Sequence, residues 1–222
     1  MATQFEQGSE EWFQIRCGRV TASRVADIIA KTKSGPSTSR ANYAAQLVVE
    51  RLTGSVEPSY QNAAMQWGIE KEAEARIAYR FLTDIDVIET DFVLHPDIFM
   101  AGASPDGLAG ADGLVEIKCP NSATHMDTLL REAIPDKYQV QMLWQMACTG
   151  RQWCDFVSYD PRFPEHMRLF VKRLVRDEGR IAELEAEVRS FIAEVEKSCA
   201  ALNAKHGPEV PVDPKVVDMV RA

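Results

Sequence analysis

Along the first third of the chain apolar residues recur every three or four positions, the spacing of one helical face. A short helix through Trp12 and Phe13 should end near Gly18, and Thr21 or Ser23 can N-cap a second helix that carries Val25, Ile28 and Ile29 on one side. Over 62–82, Ala- and Glu-rich sequence with Trp67, Ile69, Ile77 and Phe81 predicts a longer helix. The period then shortens. Residues 87–94, 99–103 and 114–119 form short apolar, β-branched or aromatic runs between Pro, Asp and Gly turns, so they predict neighbouring strands. A helix over 136–148 and strands over 153–159 and 168–175 follow. Over 177–204 Ile181, Leu184, Val188, Phe191, Ile192 and Val195 keep helical spacing, which predicts a long amphipathic helix packed against the sheet. Loops fall at 32–39 and 57–59, and the Pro/Val-rich segment from His206 reads as a loosely attached tail. The expected class is α/β (α+β): a central mixed sheet flanked by helices, with a helical N-terminal part and a long C-terminal helix.

Composition adds little to this picture except through charge. With 222 residues, 45% hydrophobic and 26% charged, the chain can bury the core of one domain. Within it, 1–60 reads as a helical part, 61–205 as the core and 206–222 as the tail. No apolar run reaches the roughly 20 residues that span a bilayer, so no membrane role is expected. The opening MATQFEQGSEEW lacks the features of a signal peptide, and a cytoplasmic protein is expected. Cys17, Cys119, Cys148, Cys154 and Cys199 are scattered, which predicts reduced thiols and excludes a zinc or iron–sulfur pattern. The net charge of −8 conceals a split. Between Arg16 and Arg51 stand Arg19, Arg24, Lys31, Lys33 and Arg40 against only Asp27 and Glu50, whereas acidic residues crowd 177–196 as a solvated helix face.

The candidate chemistry lies in SPDGL at 104–108 and LVEIKCP at 114–120. Two strands joined by a tight turn would set Asp106 beside Glu116, and two hard carboxylates with open coordination positions suit Mg2+, which keeps waters and accepts phosphate oxygens. Strand alternation turns Glu116 and Lys118 to one face and Ile117 to the core. A cation on the carboxylates could polarise a phosphoryl oxygen and acidify a water, Lys118 could orient that water, and the Ile117 backbone carbonyl could complete the shell. Asp106 could instead cap a turn, with Glu116 paired to Lys118 on an exposed strand.

These two blocks, with RCGRVTAS at 16–23, WGIEKE at 67–72 and YQVQ at 138–141, resemble in matching order the lambda exonuclease family of phage recombination nucleases, built on the restriction-endonuclease-like PD-(D/E)-x-K core. The resemblance implies Asp106 and Glu116 as metal ligands, Lys118 as catalytic lysine, Glu72 as a further acidic group acting through water or a second ion, and Gln141 as a hydrogen-bond donor near the reacting phosphate. It implies a 5′-phosphate pocket of Arg16, Ser23 and Ser104, with Thr21 at its margin. Lys33 would touch the duplex, and Met65 would help to part the terminal base pairs. Arg offers phosphate a rigid donor fork, which makes the pocket chemically sensible.

The implied activity is Mg2+-dependent 5′-to-3′ degradation of one strand of linear duplex DNA with 5′-phosphate ends, using one or two ions that Mn2+ can replace. The implied assembly is a homotrimeric ring, and the implied partner is a single-strand annealing recombinase that takes the 3′ overhang. Two alternatives stay open: a structure- or sequence-specific endonuclease on the same core, and a noncatalytic DNA-binding relative.

Overall fold

The computed structural model describes residues 9–33, 35–56 and 63–207, the side chains of 63–65 excepted. Ser9 opens α1 (Glu10–Arg16) by accepting the Trp12 N–H at 3.2 Å. The chain then turns through Gly18 (φ +69°), where a Cβ would meet Arg51 Cγ at 2.7 Å. That close approach is used: Arg51 Nε donates to the Gly18 carbonyl, and the Gly18 N–H donates to the buried Glu50 carboxylate at 2.8 Å. The segment after Arg16 is thereby pinned to the helix that carries Glu50 and Arg51.

Next come β1 (Val20–Thr21), a 3-10 turn (Ala22–Arg24), α2 (Val25–Ile29), the hairpin β2 (Lys31–Thr32) and β3 (Gly35–Pro36), and α3 (Thr38–Thr53), which the apolar pattern did not predict. Ser37 caps α3, and Gly54 closes it in the left-handed region. Neither Thr21 nor Ser23 acts as the expected side-chain cap. Thr21 occupies the N-cap position of the 3-10 turn and Arg24 that of α2, neither with a side-chain capping bond.

The long helix α4 (Ala63–Thr83) stands as expected. The single strand expected over 87–94 is two, β4 (Val87–Ile88) and β5 (Val93–Leu94), which join different sheets. After β6 (Ala101–Ala103), β7 (Gly107–Ala109) and β8 (Gly113–Lys118) comes α5 (Ser122–Arg131), also not expected. It is capped by Asn121. Then follow α6 (Asp136–Thr149), β9 (Trp153–Tyr159), a 3-10 turn (Glu165–Met167), β10 (Leu169–Val175) and α7 (Glu178–His206), close to the predicted bounds.

The main sheet has the order β10-β9-β8-β7-β4 and is mixed, since β8 and β9 run parallel while the other neighbours are antiparallel. A smaller sheet, β1-β6-β5, pairs β1 and β6 in parallel. Strand alternation divides the interior in two. Leu114, Cys154 and Phe156 face the core built on α2, α3, α6 and α7, and Val115, Ile117, Val157 and Tyr159 face α4. A central strand between helices is buried on both faces, so Glu116, on the face opposite Ile117, is 0% exposed, against the alternative of an exposed strand. The apolar row of α7 packs against α2, α3 and α6 rather than flat on the sheet.

The acidic face of α7 is not simply solvated either. Glu187, Glu194 and Glu196 pair with Lys31, Arg40 and Arg51 at 3.5, 2.6 and 3.9 Å, so much of the basic stretch is answered within the chain. The five cysteines are unpaired, and no described helix is long and apolar enough to cross a membrane. The expected loop at 57–59 and the tail from 208 lie outside the described residues.

Candidate active site

The site forms where β8 outruns β7. The last β7 pair is Gly107 with Val115, so the backbone of Ile117 has no strand partner on that side. Asp106, one residue before β7, fills the gap: its Oδ2 accepts the Ile117 N–H at 2.6 Å. In a strand the N–H and C=O of one residue point the same way, so the Ile117 carbonyl is also turned to the side of Asp106.

Glu116 is held from α6. Gln141 Nε2 donates to Oε1 at 2.6 Å and Gln145 Nε2 to Oε2 at 2.5 Å, while the Lys118 ammonium contacts Oε1 from the open side. Glu72 enters from α4, where Arg76 one turn later donates to its Oε1 at 2.8 Å and to the Asp106 carbonyl at 3.3 Å. Arg76 also pairs with Glu89. Arg76 and Gln145 were missed in the sequence, where the only signal was their position four residues after Glu72 and Gln141.

Electrostatics tie these groups together. Burial, reinforced by Glu116 and Glu72, pushes the Asp106 carboxyl well above the usual range against the pull of Lys118. Burial also raises Glu72, despite Arg76 and Lys118. Burial opposes the Lys118 charge, but Glu116 and Asp106 outweigh it and hold the ammonium above its ordinary value. Three carboxylates thus face two cations, a balance that leaves room for more positive charge. Among the described residues no three His, Cys, Asp or Glu side chains form a ready-made metal cage. Two carboxylates beside a carbonyl without a β7 partner nonetheless fit Mg2+, which is usually bound through one or two carboxylates plus waters and phosphate oxygens.

A second cluster adjoins the first through the chain itself. Ser104 stands two residues before Asp106, and its Oγ accepts from Arg16 Nη1 at 2.9 Å. The Arg16 guanidinium lies 3.9 Å over the Trp12 ring, and burial draws its pKa down to about 10 against Tyr43 and Glu50. Because β1 and β6 are parallel, with Thr21 opposite Gly102, the segments that leave them emerge at one end. Ser23 and Ser104 lie on those segments. Ser23 is exposed, and Thr21 is buried with its N–H donating to the Tyr43 hydroxyl at 3.1 Å. Lys33 is exposed at the tip of the β2–β3 hairpin. Met65 lies in α4, but its side chain is outside the described residues.

Residues 11–152 match the YqaJ-like viral recombinase domain. Two crystal structures of the alkaline exonuclease LHK-Exo from Laribacter hongkongensis, one in complex with dAMP, superpose with a TM-score of 0.84 at 51% identity, covering 89% of this chain and 97% of theirs. A phage related exonuclease from Haemophilus somnus 129PT shares the fold at 16% identity, with a TM-score of 0.65 over 84% of this chain and 96% of that one. None of the curated proteins compared matches the sequence.

Proposed function

The chain belongs to the YqaJ-like viral recombinase domain family, and from that membership we propose that it is a magnesium-dependent exonuclease that degrades one strand of linear duplex DNA from a 5′-phosphate end. The observation that carries the proposal is the meeting of Asp106, Glu116, Lys118 and Glu72 at the open end of β8. The likeness to an alkaline exonuclease crystallised with dAMP supports it, since a deoxynucleoside 5′-monophosphate is the product such digestion releases.

Asp106, Glu116 and the Ile117 carbonyl would hold the cation, with Glu72 reaching it through water or a second ion. When bound, Mg2+ supplies Lewis acidity toward the scissile phosphate, and Mn2+ should substitute. The protein's own groups do the rest. Lys118 keeps its proton and can orient the attacking water or offset charge that builds on the phosphate. Water oxygen bonds to phosphorus, the bond from phosphorus to the 3′ oxygen breaks, and that oxygen takes up a proton. Gln141, which donates to Glu116 and is partly exposed, could turn its amide to the phosphate itself.

Arg16, Ser104 and Ser23, with Thr21 behind them, would take the 5′-phosphate, and Lys33 and Met65 would meet the duplex. A homotrimeric ring would keep the enzyme on its track, and the emerging 3′ strand would pass to a single-strand annealing recombinase.

Linear DNA labelled at either end, with and without Mg2+, tests the reading, with a covalently closed plasmid as the control. Release of 5′-end label only in Mg2+, with the plasmid intact, is expected. Cutting of closed circles would instead indicate an endonuclease. Asp106→Ala should abolish hydrolysis while Ca2+-supported DNA binding persists, and Mg2+-dependent digestion by that variant would defeat the assignment.

A further inference from the structure

The clamp on Glu116 is asymmetric. Gln141 and Gln145 stand one helical turn apart on α6, and each donates to a different carboxylate oxygen. Gln141 is partly exposed, and it shares Oε1 with Lys118 on the open side. Gln145 is 0% exposed, so no substrate group can reach it. Its Nε2 is aimed at Oε2, and its own amide oxygen lies 3.9 Å from the buried Sγ of Cys154 on β9. A carboxylate with no exposure needs its donors, because an unanswered charge in the interior is costly.

The two donors cannot serve the same purpose. Oε1 is the oxygen that opens toward Lys118, so a cation at Glu116 would compete with the donors already there. Oε2 faces inward, where only a fixed partner can serve it. We propose that Gln145 is a positioning residue that holds the Glu116 carboxylate in one orientation whether or not a cation is bound, while Gln141 is the exchangeable partner that is released toward the substrate phosphate. This rests on the metal-dependent nuclease reading. It adds a division of labour between the two glutamines that the sequence motif does not carry. Partners that orient a ligand from behind typically change metal affinity by about 10- to 100-fold when removed.

The test is Mn2+ binding to the full-length protein without DNA, read from the EPR signal of free Mn2+. Gln145→Met keeps the side-chain size and removes the donor, and it should weaken Mn2+ binding about 10- to 100-fold. Gln141→Met should leave DNA-free Mn2+ affinity within about threefold and instead lower kcat on DNA. Equal Mn2+ affinity in wild type and Gln145→Met, or an equal loss in both variants, overturns the division of labour and leaves the nuclease reading standing. A wild-type protein that neither binds Mn2+ nor digests DNA overturns both.

A measurement on the wild type covers the case in which Gln145→Met does not fold. With 15N-labelled glutamine side chains, Mg2+ should shift the Gln141 amide and leave the Gln145 amide protected from hydrogen exchange. Loss of that protection on adding Mg2+ sinks the proposal.

Discussion

At the scale of single residues, Arg16 shows how burial and binding can be coupled. Its guanidinium is stacked over Trp12 and tied to Ser104, and burial already lowers its pKa, so the protein holds a cation that water would solvate better. An anion delivered to that place would answer the charge. A hydrogen bond to a charged group contributes about 1.5–3 kcal/mol, so Arg16→Ala is expected to lose about 10- to 100-fold in the preference for 5′-phosphate over 5′-hydroxyl ends. Single-turnover rates on the two substrates check this, and an unchanged ratio would remove Arg16 from the proposed phosphate pocket. Lysine should restore only part of the preference, because it brings a point charge without the donor fork.

At the scale of elements, two buried contacts govern how the sheet and helices lock. Tyr79 on α4 donates to Asp155 on β9 at 2.8 Å, and Arg173 on β10 reaches the same carboxylate through two bonds of 2.8 Å. Asp155→Ala would leave a buried tyrosine hydroxyl without its acceptor and release the strands from α4. A loss of about 3 kcal/mol is expected, at the lower end for broken buried pairs because Arg173 still reaches solvent. Urea unfolding measures it, and a loss below about 1 kcal/mol would show that the contact is not a lock.

The second contact is pH-sensitive. His95, before β6, accepts the Asp97 N–H on Nδ1, faces Glu185 of α7 with Nε2 and stacks on Trp144. An imidazole that accepts on Nδ1 carries its proton on Nε2, so a second proton would destroy the Asp97 bond. Burial accordingly lowers its pKa below the ordinary 6.5, although Glu185 and Asp97 pull the other way and Arg189 adds to the lowering. The unfolded chain then binds more protons than the folded one below 6.5, and stability falls as pH drops through that window. Melting temperatures between pH 7.5 and 5 should show a decline that His95→Asn flattens. Parallel curves for the two proteins would exclude His95 as its source.

These elements also show what patterning could reveal. α4, α6, β9, β10 and α7 were legible because long apolar periods or β-branched runs marked them. α3 and α5 were not, since their apolar faces are interrupted and their starts rest on Ser37 and Asn121 caps. Asp106, Glu116 and Lys118 could be read from spacing. Gln145 could not, because a buried glutamine declares itself only through the carboxylate it meets.

At the scale of the molecule the question is how a chain of net charge −8 stays on DNA. The basic stretch near the N-terminus suggested a binding surface, but Lys31, Arg40 and Arg51 pair with α7, Arg24 pairs with Asp27, and Arg16 is half-buried against Trp12 and Ser104. Few cations of that stretch remain for the backbone, and affinity that rests on few phosphates depends weakly on salt, with a slope of about −0.9 per neutralised phosphate in log–log form. An open monomer of this kind would leave its substrate often. A closed ring would not, because retention then depends on topology rather than charge. The proposed trimer therefore predicts that the number of nucleotides removed per encounter, measured with excess trap DNA, stays constant between about 50 and 200 mM salt while loading slows. It also predicts a light-scattering mass near three times the 24.8 kDa of one chain. Release after a few nucleotides, or run lengths that shrink with salt in step with loading, would mean that charge does the holding and that no ring encloses the DNA.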